Sequence, residues 1–164
     1  MGEHICFRRN ERLATVNPHW RGNPVVRGKF VNRQHRFRPG MGSVLKWRLS
    51  PNPQRKEKKS VKWSPKLNYL RSLDGVVGNS LIWLGHNSFF LQLARKRIMF
   101  DPVFGDIPFV KRQSDFPANP DIFTDIDYLL ISHDHFDHLD KQSVARLVKN
   151  NPGMKLFCGL GTGS

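Results

Sequence analysis

The stretch from Tyr128 to Cys158 constrains the fold more than any other part of the chain. It opens with the apolar run Tyr128-Leu129-Leu130-Ile131-Ser132, a strand by composition. His133-Asp134-His135-Phe136-Asp137-His138 follows at once. Asp140 then stands where a helix N-cap belongs. Val144, Leu147 and Val148 fall at i, i+3 and i+4, one face of a helix expected over 141–150. Asn151-Pro152-Gly153 stops that helix, and Lys155-Leu156-Phe157-Cys158 is a second short strand. Strand, loop, helix, strand is a β-α-β unit, in which functional groups collect at the carboxyl ends of strands. The histidine cluster sits at such an end.

Packing does not explain three imidazoles and two carboxylates within six positions. Imidazole nitrogen and carboxylate oxygen are the ligands of borderline cations such as zinc, and a cation's charge offsets the cost of desolvating them. In an extended segment alternate residues point the same way, so His133 and His135 can grip one ion. Asp137 and His138, adjacent where the chain turns into the helix, can face a second. Two such ions together make bound water a nucleophile near neutral pH. Asp134 points away from its neighbours in this reading and is taken as structural.

Upstream, Leu81-Ile82-Trp83-Leu84, Ser88–Leu93 and Arg97-Ile98-Met99-Phe100 read as three more strands. Gly85-His86-Asn87 breaks the first pair, and Ala94-Arg95-Lys96 turns between the second. Asp101-Pro102 ends the third, and residues 103–126 read as loop.

Residues 1–75 have another texture. Of the net charge of +14, all lies in residues 1–74, which hold 18 basic and 4 acidic side chains; residues 75–164 hold 9 of each. Gly and Pro recur, as at Pro18, Gly22, Pro24, Gly28, Gly40, Gly42, Pro51 and Pro53, and interrupt helices. Trp20, Val25, Val26, Phe30, Trp47 and Trp63 are interleaved, so an irregular arm that packs in places is expected. Gln54-Arg55-Lys56-Glu57-Lys58-Lys59 is expected to be a solvated loop. The organisation read here is a basic extension over 1–75 and a second domain over 76–164.

The cluster Ser132-His133-Asp134-His135-Phe136-Asp137-His138 resembles the HxHxDH motif of the metallo-β-lactamase superfamily. Trp83-Leu84-Gly85-His86-Asn87-Ser88, Phe100-Asp101-Pro102-Val103-Phe104, Gly28-Lys29-Phe30-Val31-Asn32 and Val44–Leu49 are similar to a narrower branch. That branch contains the N-acyl-phosphatidylethanolamine-hydrolysing phospholipase D enzymes and their bacterial relatives. The resemblance implies an α/β fold (α+β by some schemes), the N-terminal half of an αββα sandwich preceded by the basic arm. It implies two zinc ions, His133 and His135 on the first, Asp137 and His138 on the second. It also implies that Asp137 orients the nucleophile, that Asp101 supports a ligand imidazole and that His86 lies near the pocket. The expected activity is hydrolysis of a phosphodiester or related ester, such as an N-acyl-phosphatidylethanolamine-type lipid.

A complete site of this family takes further His and Asp ligands from the second half of the domain. The 26 residues after His138 contain Asp140 but no His and no Glu. The chain is therefore expected to be an N-terminal piece of a longer enzyme, inactive by itself. The alternatives are a lactonase or nuclease of the same superfamily, or a non-catalytic module whose basic arm binds an anionic membrane. Nucleic acid is the less favoured partner. The cysteines, Cys6 and Cys158, form no CxxC pair and read as plain thiols, which suits a reducing compartment; the expected location is cytoplasmic, with the basic arm as the contact to any membrane surface. Gly159-Leu160-Gly161-Thr162-Gly163 lacks the Lys-Ser/Thr of a phosphate loop, and His4, His19 and His35 read as solvated.

Overall fold

The computed structural model describes residues 4–12, 17–32, 40–61, 65–107, 112 and 114–162. His35, Trp63 and Gly163 lie outside the described residues. The chain divides into two compact units, Met1–Lys62 and Trp63–Ser164.

The first unit holds a small antiparallel sheet of β1 (Cys6–Arg8), β2 (Asn23–Val26) and β3 (Lys29–Phe30), in that order. Arg27 and Gly28 both have positive φ, 50° and 78°, between the paired residues Val26 and Lys29. A two-residue hairpin loop demands that backbone, and glycine adopts it without a Cβ clash. Val25 and Val26 are buried. Two helices follow, α1 (Met41–Leu49) and α2 (Arg55–Ser60), with no buried residue in either. The charge run expected to be a loop is thus mostly helix α2. Lys, Arg and Glu are good helix formers, and that local preference prevails over the nearby prolines.

The second unit is built on a five-stranded sheet in sequential order: β4 (Ser80–Gly85), β5 (Ser88–Leu93), β6 (Lys96–Phe100), β7 (Tyr128–Leu130) and β8 (Lys155–Phe157). The first three strands are antiparallel; β7 runs parallel to β6, and β8 to β7. Helix α3 (Lys141–Asn150) crosses from β7 to β8, completing the expected β-α-β unit. Asp140 caps it, accepting from the Ser143 backbone N–H at 2.9 Å. The fold is mixed α+β.

Alternation sets one face of this sheet inward. Leu84, Phe90, Met99 and Leu129 are fully buried and pack with Phe123, Ile126, Ile131 and Leu147 of α3. The other face is apolar too, with Leu81, Trp83 and Phe157 exposed. Asn151, just past α3, is buried. Its amide donates to the Leu147 and Phe123 carbonyls and its oxygen accepts from Ile126 N–H, all at 2.9 Å. That one side chain ties the helix end to the loop entering β7.

Candidate metal centre

Strand β7 runs out at Leu130 and Ile131 remains buried, so the chain emerges from the core at Ser132. It does not continue extended. The backbone N–H groups of His138 and Leu139 both donate to the His135 carbonyl, at 2.9 and 2.8 Å, and close a turn. His133 lies 4.0 Å from His138 between ring centroids and 4.6 Å from His135. His133 and His135 meet, as the spacing expected, and the turn adds His138 on His133. His135 and Asp134 are exposed.

Asp101, one residue past β6, anchors this turn. Its φ of 41° is left-handed, which Asp tolerates better than most residues. Its backbone N–H donates to the Leu130 carbonyl at 3.0 Å, and its carbonyl accepts from the buried Ser88 hydroxyl at 2.8 Å. The Ser88 oxygen accepts in turn from Val103 N–H at 3.0 Å. The Asp101 carboxylate is thereby held under the turn. Its Oδ1 accepts from Ser132 N–H at 2.7 Å; its Oδ2 accepts from the Ser132 hydroxyl at 2.6 Å and from His138 Nδ1 at 2.8 Å.

These bonds select tautomers. A carboxylate only accepts, so His138 Nδ1 carries a proton and a neutral ring leaves its lone pair on Nε2. The Ser132 hydroxyl donates to Asp101 and so accepts from His133 Nδ1 at 3.0 Å. His133 likewise keeps its lone pair on Nε2.

The turn between β4 and β5 meets the cluster from the other side. His86, at φ 50°, places Nε2 3.1 Å from Asp137 Oδ2, and Trp83 Nε1 donates to the His86 carbonyl at 2.9 Å. Asn87 Nδ2 stands 2.9 Å from His138 Nε2. Asp137 Oδ2 is 3.7 Å from the same nitrogen. The bond from His86, first, holds the Asp137 carboxyl below the ordinary carboxylate range; a backbone bond and the neighbouring imidazoles add to this, and burial opposes it.

All six candidate residues therefore lie on or beside one surface, with His86 on Asp137 and Asp101 on His138. Among the described residues, no three His, Cys, Asp or Glu side chains are arranged to hold one ion as they stand. Asn87 covers the His138 lone pair, while the bond from His86 leaves other acceptor positions of Asp137 open. The donor chemistry nonetheless fits a divalent cation. His133, His135, Asp137 and His138 would hold it, and a carboxylate on the far nitrogen of a ligand imidazole is the usual support of such a ligand. Ser88, Asn87 and Ser132 are site residues that the sequence did not single out. Their signal there is membership in the Trp83–Ser88 and Ser132–His138 motifs, with no role of their own.

Residues 80–154 match the family model of the Beta-lactamase superfamily domain. That match spans β4 through α3 and includes every candidate site residue. It is 29% identical over 154 residues to N-acyl-phosphatidylethanolamine-hydrolyzing phospholipase D 1 of Caenorhabditis elegans, covering 84% of this chain and 43% of that protein. It is 36% identical over 78 residues to a UPF0173 metal-dependent hydrolase of Sulfolobus acidocaldarius, covering 47% of this chain and 31% of that one. It thus spans less than half the length of both relatives. Among solved structures, CmlA, a diiron beta-hydroxylase from Streptomyces venezuelae, aligns with a TM-score of 0.37 at 21% identity, over 69% of this chain and 20% of that chain.

Proposed function

We propose that this chain contributes the first metal-binding motif of a zinc-dependent hydrolase that cleaves a phosphodiester or related ester, with N-acyl-phosphatidylethanolamine-type lipids as the leading substrate class. The observation that carries the reading is the Asp101–His138 pair at 2.8 Å beneath a turn of three imidazoles and a carboxylate. Nitrogen and oxygen donors of this kind favour zinc. A bound ion supplies Lewis acidity and lowers the pKa of water. The chain's own residues then have separate tasks. His133, His135 and His138 would hold the ion through ring nitrogens, and Ser132 and Asp101 fix the opposite nitrogens of His133 and His138. Asp137, held ionised, binds and orients the attacking water.

The test is metal content and hydrolysis by the full-length enzyme. Zinc near two equivalents, with cleavage of a phosphodiester lipid that is lost on chelation and in His133→Ala, is expected. Lactone or nucleic acid cleavage without lipid cleavage would replace the substrate class; absence of bound metal in active enzyme would end the reading.

The first unit supports a second, compatible reading as a contact for anionic membrane. Met41, Trp47 and Leu49 of α1 are 84%, 79% and 74% exposed, beside Lys46 and Arg48 and ahead of the basic helix α2. Clustered Lys and Arg attract anionic headgroups and an exposed Trp suits their level, although α1 presents no separate apolar face. Among the described residues no helix is long and apolar enough to cross a membrane. Salt-dependent binding to phosphatidylserine vesicles that survives His133→Ala is expected.

A further inference from the structure

The His86-Asn87 turn touches the metal motif twice, and the two contacts differ in chemistry. His86 Nε2 donates to Asp137 Oδ2, an atom of a carboxylate that offers about four acceptor sites. A cation can take another of those sites while the bond from His86 persists. Asn87 Nδ2 donates to His138 Nε2, whose Nδ1 is already committed to Asp101. A neutral imidazole has a single lone pair, so Nε2 serves either Asn87 or a cation.

We infer that Asn87 is a place-holder, satisfying the ligating nitrogen of His138 until a cation displaces it, while its neighbour His86 is a positioning residue that aims Asp137 and stays in place when the cation arrives. The inference rests on the metal-site reading above. It gives adjacent residues of one turn opposite effects on metal affinity. A purely structural role for the turn would make both substitutions weaken binding or leave it unchanged. Without Asn87 the metal-free site would expose an unpartnered lone pair in a part-buried position. The place-holder thus favours order before loading at a modest cost in affinity.

The test is a zinc titration of the full-length protein against a chromophoric chelator. Asn87→Ala is expected to bind zinc about 5-fold more tightly than wild type, the scale of one ordinary hydrogen bond released. His86→Leu is expected to bind at least about 10-fold more weakly, with His86→Gln, which keeps a donor, recovering part of the loss. A measurement on the unaltered protein guards against a variant that fails to fold. Zinc should shift the Asn87 side-chain amide resonances strongly while the Asp101-bonded Nδ1 proton of His138 is retained. Asn87→Ala binding zinc equally or more weakly, or an unshifted Asn87 amide at saturation, overturns the inference and leaves the metal site standing. A wild type that takes up no zinc removes both.

Discussion

The two units are made of different material and are held together differently. Residues 1–62 carry 16 basic and 3 acidic side chains, residues 63–164 carry 11 and 10. In the first unit, Pro24, Val25 and Val26 are the buried apolar side chains among the described residues, and both helices lie wholly exposed. In the second, ten buried apolar residues among those described form one cluster across strands β4 to β7, helix α3 and the loops beside them. A three-stranded sheet with so few buried side chains has little to set against the entropy of ordering its chain. The five-stranded sheet has the apolar contact to fix its turns, and two of them, at Asp101 and His86, carry the site. A chemical site needs side chains held to fractions of an ångström, so it belongs in the unit with the core. A charged, exposed unit suits a fluid partner that does not demand such precision.

Substitutions should separate the two, and the largest effect belongs to the core. Phe90 and Leu147 are fully buried, so Phe90→Ala or Leu147→Ala should cost about 2–5 kcal/mol in denaturant unfolding. A loss under about 1 kcal/mol would mean the second unit is not organised around them. Next, Asp101→Asn should weaken zinc binding by about 10- to 100-fold, because an amide can present its NH2 to His138 Nδ1 and lose the tautomer. Unchanged zinc affinity would detach Asp101 from the site. Asn151→Ala should cost about 1–3 kcal/mol, since it strands three buried backbone groups. By contrast, Trp47→Ala should shift stability by no more than about 0.5 kcal/mol while weakening vesicle binding. A large stability loss there would give α1 a packing role and erase the contrast.

The smallest effect concerns acid. Asp127 is held below the ordinary carboxylate range chiefly by the bond from Lys96 at 2.6 Å, then by Arg97 N–H. A depressed pKa contributes stability above the unfolded value. That contribution is lost as pH falls through the folded value, near and below about pH 4. The acid limb of the stability profile should therefore flatten slightly in Asp127→Asn. The pair is solvent-screened, so the change should be small.

Strong local signals are legible in the chain alone. The apolar runs at Leu81–Leu84, Ser88–Leu93 and Tyr128–Leu130 are strands, and Asp140 caps α3 as its spacing implies. The first unit is harder to read. Its Gly and Pro point to turns, and Pro18, Gly28 and Pro53 do lie in turns, but Pro24 falls inside β2 and Gly42 inside α1, and the strands are two to four residues long, too short for alternation to register. The charge run at α2 has no apolar face, so periodicity says nothing about it.

At the site the division is finer. The residue types after β7 already specify donors suited to a divalent cation, because ligand chemistry is a property of the side chain and needs no fold to state. Which nitrogen each imidazole presents is different. It depends on Asp101 reaching His138 across 37 positions and on Asn87 reaching it across 51. Those meetings exist because β6 lies beside β7 and because the β4–β5 turn reaches the same surface. Hydrogen bonds act over about 3 Å whatever the distance along the chain. Chemistry is therefore written locally, and the orientation that makes it usable is decided only when the strands come together.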